Sequence, residues 1–129
     1  MRSLKESLIT KSNISSVKIN RHTTYKKSML KTGDIVVFEC GNVGIFCRYT
    51  DVNPRRYGLT SMGNDYILIY HLAGEIRLFT IDNHSEDLKS KYVKGLNIIK
   101  VIPRVFDIDD MRNVEKINRF FTTEEYKKL

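Results

Sequence analysis

The chain has 129 residues, with 22 Lys plus Arg against 15 Asp plus Glu and a net charge of +7. Its 41% hydrophobic and 10% aromatic content belongs to a globular protein rather than a disordered one, and this length buries a core without staples. There is no apolar run of membrane-spanning length and no apolar stretch of a secretory signal, and two cysteines are too few for a disulfide scaffold, so neither membrane insertion nor secretion is expected.

The charge is concentrated at one end. Residues 1–31 carry Arg2, Lys5, Lys11, Lys18, Arg21, Lys26, Lys27 and Lys31 against Glu6 alone, a net +7, whereas 32–106 sums to +1 and 107–129 to −1. The first segment is therefore a basic arm. Leu4 and Leu8 share one face of a short helix over 3–10, which the Ser3-x-x-Glu6 spacing would cap. Val17 and Ile19 alternate with Lys18 and Asn20 as in a short edge strand, and 20–28 reads as linker. Three readings stay open for the arm. Lys11, Lys18, Arg21, Lys26 and Lys27 would neutralise nucleic-acid phosphates. The hydroxyl-rich, acid-poor composition also suits an import presequence. Leu4 and Leu8 would anchor a peptide that orders on a protein partner.

The next segment, 32–106, reads as strands. Ile35 to Cys40 and Ile45 to Tyr49 form a hairpin; a two-residue turn at Asn42-Val43 puts Val36, Phe38, Cys40, Ile45, Cys47 and Tyr49 on one core face. A long loop over 50–65 holds Pro54, Gly58 and Gly63. Asp65 to Leu72 and Glu75 to Asp82 make a second hairpin, Ser85 to Leu88 a helical turn, and Leu96 to Ile102 a fifth strand ended by Pro103, with Ile99 and Val101 in the core. Five short strands with no intervening helix predict a mainly β protein: a small five-stranded SH3-like antiparallel barrel, with an OB-like barrel as competitor. The segment 107–129 predicts a C-terminal helical extension, N-capped by Asp107, with Ile108, Met111, Val114, Ile117 and Phe121 as its apolar stripe and a last short helix after Thr122.

Chemistry-bearing residues are few. Cys40 and Cys47 fall on the core face as reduced, buried thiols rather than a disulfide. His22, His71 and His84 are scattered, so no metal or other cofactor is expected. Asp107, Asp109 and Asp110 sit where a helix start favours acids, and no base, nucleophile and electrophile can be assembled into an enzyme site. Arg55-Arg56-Tyr57 in the long loop has the chemistry of a partner contact: guanidiniums beside an aromatic suit a protein hot spot or a phosphate with a stacked base. The alternative is a solvated loop with the tyrosine packed down.

Two stretches carry a resemblance. Ser3-Leu4-Lys5-Glu6-Ser7-Leu8 looks like the N-terminal peptide of many proteins of tailed, crAss-like phages of Bacteroidales. Leu30-Lys31-Thr32-Gly33-Asp34-Ile35-Val36-Val37, with Glu86-Asp87-Leu88 and Ile98-Ile99-Lys100-Val101, is similar to small SH3-like phage proteins. Glu39-Cys40-Gly41-Asn42 replaces the Arg-Asn-Gly of their hairpin, and Val101-Ile102-Pro103-Arg104 replaces their closing Val-Tyr-Arg. The resemblance covers residues 30–104 and implies a phage-encoded, non-enzymatic barrel, without assigning any functional residue. Together these readings predict a virion or virion-assembly accessory protein whose barrel docks on a protein partner and whose basic arm tethers it to that partner or to nucleic acid, in the virion or the host cytoplasm. A host-directed inhibitor of a defence system and a small nucleic-acid-binding regulator are the alternatives, and oligomerisation stays open.

Overall fold

Gly33 and Asp34 end the basic segment and turn the chain into the sheet. The computed structural model describes residues 16–20 and 22–129. Its strands are β1 (Val17–Lys18), β2 (Ile35–Phe38), β3 (Val43–Cys47), β4 (Tyr66–His71), β5 (Glu75–Thr80) and β6 (Ile98–Ile102). They form one antiparallel sheet in the order β1-β6-β2-β3-β4-β5. The C-terminal segment gives two helices, α1 (Ile108–Arg112) and α2 (Val114–Thr122).

The mainly β class with a C-terminal helical block stands, but the closed five-stranded barrel does not. The sheet is open and has six strands, β1 and β5 holding its two edges. Both of its faces are buried. On one face Ile35, Ile45, Cys47, Tyr66, Leu68 and Ile102 pack against Met111, Ile117, Phe120 and Phe121, so the helices stand where the opposing wall of a barrel would be. On the other, Val36, Phe38, Phe46, Ile67, Ile98 and Val101 are covered by Leu30, Ile81 and Leu88. With helices on one face and loops on the other, the sheet buries its apolar residues without closing on itself.

The register of the first hairpin also differs from expectation. Ile35 pairs with Ile45 and Val37 with Val43, so the turn centres on Cys40 rather than on Asn42-Val43. Gly41 makes this possible at φ +96, a conformation that side chains disfavour. Val36 and Phe38 therefore face away from Ile45 and Cys47. Cys40 is exposed at the turn while Cys47 is buried, and both thiols are free, which corrects the expectation of two buried thiols. Ile99 is corrected too. β6 carries one extra residue opposite Val37–Phe38, which brings Ile98 and Val101 onto the same face and leaves Ile99 40% exposed.

The single C-terminal helix is instead two. Asp107 caps α1 as expected, its side chain accepting from the Asp110 amide at 2.7 Å. Asn113 then ends α1 and caps α2 through the Lys116 amide at 3.1 Å. The break turns Ile108 out of the apolar stripe, and Phe120 replaces it in the core. Tyr70 stacks on Phe121 at 5.6 Å and Phe106 meets Phe120 edge-on at 5.1 Å, which fixes the helices on the sheet.

Of the expected 20–28 linker, the described residues 22–28 are not free. The Ile19 amide donates to the Ile99 carbonyl at 2.9 Å, the Lys27 amide donates to the Glu86 carbonyl at 2.8 Å, and Lys26 pairs with Asp87 at 2.9 Å. The segment is a strap laid across one face of the sheet, with Leu30 fully buried at its end.

Candidate binding groove

The strap, the start of β2, the segment after β6 and the start of α1 meet around one carboxylate. Asp34 is 1% exposed. Its Oδ2 accepts the Lys31 amide at 2.8 Å and its Oδ1 the Arg104 amide at 2.9 Å. The Tyr25 hydroxyl also donates to Oδ2, at 3.4 Å. Burial, then the neighbouring Asp34 charge and hydrogen bond, push the Tyr25 phenol up to about 12. Gly33 lies so close to this segment that a Cβ would fall 1.8 Å from the Phe106 carbonyl oxygen. The Gly33-Asp34 pair is thus a structural clasp: glycine for close approach, aspartate to satisfy amides from two distant segments.

Beside the clasp runs an open groove of about 1450 Å³, with Met29, Lys31, Arg104 and Ile108 among its lining residues. Met29 is 46% and Ile108 38% exposed, and both line it. The exposed Lys31 and Arg104 form a cationic pole, their amides sharing Asp34. The exposed Asp107 and Asp109 form an anionic pole at the start of α1. Other polar groups here are committed internally. Thr32 Oγ1 donates to Asp51 at 2.6 Å and accepts the Arg48 amide at 2.9 Å. Arg48 reaches the Leu30 carbonyl at 2.9 Å and Asp65 at 3.3 Å. Arg112 donates to the Asp51 carbonyl at 3.1 Å. Burial would raise the Asp110 carboxyl, but hydrogen bonds from Lys116 and the Asp107 amide outweigh it and hold it below its ordinary value.

Three further shifted groups, Cys47, Tyr57 and Tyr66, are buried or half-buried. Burial pushes the Cys47 thiol up to about 11. It likewise raises Tyr57 and Tyr66, whose hydroxyls donate to the Met111 and Val52 carbonyls at 2.5 and 2.6 Å. These groups are protonated at neutral pH, and the two hydroxyls are spent on structural hydrogen bonds.

Among the described residues, those singled out in the sequence are not brought together. Arg55 and Arg56 are exposed on the short 3-10 helix Pro54–Tyr57, but Tyr57 is packed on the core, its hydroxyl bound to α1. Lys26 pairs with Asp87, and Lys27 donates to the His84 carbonyl at 2.8 Å. Lys18 is exposed on β1. Leu4, Leu8, Lys11 and Arg21 lie outside the described residues. Sequence reasoning missed the groove-lining Met29, Lys31 and Arg104, because Lys31 and Arg104 meet only through Asp34. Ile108 was recognisable as apolar, and Asn113 was the signal that its helix would break.

Comparison with family models, with curated proteins and with solved structures finds no match for this chain.

Proposed function

We propose that the protein is a non-enzymatic binding module that takes a peptide segment of a protein partner into this groove. The observation that carries the reading is the exposure of Met29 and Ile108 in a groove that Lys31, Arg104, Asp107 and Asp109 also line. The segment that fits has an apolar anchor, flanked by an acid toward Lys31 and Arg104 and a base toward Asp107 and Asp109. Apolar anchors supply affinity, while the flanking charges fix direction. The resemblance to small phage proteins supports a virion or virion-assembly setting for that partner.

Photo-crosslinking tests this. A crosslinking residue at position 29 or 108 of the full chain, in a lysate of phage-infected host cells, should give one discrete protein adduct. The same residue at the exposed position 55 should not give it. Identical adducts from all positions, or none from 29 and 108, would contradict the reading.

A further inference from the structure

A second surface, independent of the groove, lies at the β1–β6 edge. The loop before β6 reads Lys89-Ser90-Lys91-Tyr92-Val93-Lys94-Gly95. Its ends are pinned: the Lys91 amide donates to the Asn83 carbonyl at 2.9 Å, the Ser90 amide to Asn97 Oδ1 at 2.8 Å, and the Cys40 amide to the Gly95 carbonyl at 3.0 Å. The middle projects, leaving Tyr92 78% and Val93 51% exposed. The loop runs through Lys94–Leu96 into β6, where Lys100 sits directly opposite Lys18 of β1. Like charges facing each other across an antiparallel pair are unfavourable unless an anion offsets them. Among the described residues, none of Lys18, Lys91, Lys94 and Lys100 has an ion pair.

We infer that this edge binds single-stranded nucleic acid. Phosphates lie along Lys91, Lys94 and the Lys18–Lys100 pair, and an unpaired base stacks on Tyr92. Held backbone and a projecting tyrosine make a stacking platform, and flanking lysines supply the sequence-independent attraction of a phosphate backbone. A duplex offers no unpaired base to the ring, so the surface discriminates in favour of single strands.

The test uses the full chain and a fluorescent oligothymidylate, with a duplex of equal length as comparison, read by anisotropy over a salt series. The unmodified chain should bind the single strand more tightly, with affinity falling as salt rises. Lys18, Lys91 and Lys94 are all exposed. Changing the three to Gln should reduce the slope of log affinity against log salt by about 2, since each single-strand phosphate contact contributes about 0.7. Tyr92→Ala should weaken binding by about tenfold while Tyr92→Phe retains it, because stacking needs the ring and not the hydroxyl. An unchanged salt slope in the triple variant would assign any binding to another part of the chain and overturn the proposal. So would equal affinity for the duplex, or a Tyr92→Ala variant that binds like the parent.

Discussion

The backbone amide of Arg104 donates to Oδ1 of Asp34 at 2.9 Å across a sequence separation of 70 residues, while the other oxygen of the same carboxylate holds the Lys31 amide. One buried side chain therefore joins the exit of the strap to the segment leading into the helices. It also fixes the backbone of the groove's two exposed cations, Lys31 and Arg104. Arg104 adopts φ 55, a left-handed conformation unusual for a non-glycine residue, and its bond to Asp34 helps hold it there.

Asp34→Ala should therefore be costly. Each of these two amides left unsatisfied costs about 1–3 kcal/mol, so the variant should lose about 2–6 kcal/mol of unfolding free energy in urea titration. A loss below about 1 kcal/mol would mean that Asp34 does not act as the clasp.

Thiol labelling separates the two cysteines. Cys40 is exposed at the hairpin turn, and Cys47 is buried with its thiol raised to about 11. At pH 8 the folded protein should label rapidly at one thiol and at the second only in denaturant, and Cys40→Ser should abolish the rapid phase. Equal rates at both positions would contradict the register assigned to β2 and β3.

His84 gives the fold an acid limit. Its ring is buried, Nε2 lies 2.7 Å from the Leu96 carbonyl, and among the described residues Nδ1 has no hydrogen-bond partner. Burial lowers its pKa; the Leu96 carbonyl acts in the opposite sense, and Lys27 lowers it further. The unfolded chain therefore takes up a proton at higher pH than the folded one. The contribution of His84 is fully present above its ordinary value of 6.5 and is lost as pH falls below it, levelling off once the folded protein is protonated. Below pH 6.5, unfolding free energy should fall as pH falls, by at most about 1.4 kcal/mol per pH unit, and His84→Phe should flatten this slope. An equal slope in the variant would remove His84 as the cause.

Local chemistry was legible in the sequence, and non-local geometry was not. The strand runs, the long loop and the Asp107 cap follow from alternation, turn residues and capping spacing, and the structure has all of them. The first hairpin register was not legible because Gly41 and Gly44 both offer turns, and only packing decides between them. Gly44 lies close to Ile67, where a Cβ would meet a side-chain carbon at 2.5 Å, and it is therefore a strand residue. The extra residue at Ile99 hides in a run where every residue is apolar or lysine. The groove was the least legible, because its cationic pole exists only once Asp34 has collected amides from both sides of the domain.

The most direct test of the binding-module account is a capture experiment with the full-length chain and a Met29→Asp, Ile108→Asp double variant, each shown by circular dichroism to be folded. Both residues are substantially exposed, so the substitutions put charge into the groove without opening the core. A buried apolar anchor contributes about 1.5–3 kcal/mol, so losing its contacts should weaken partner retention at least about tenfold in nuclease-treated lysate of infected cells. A partner should be retained by the parent chain and lost from the folded double variant. Equal retention by both chains, or no retention by the parent once nucleic acid has been removed, would contradict it.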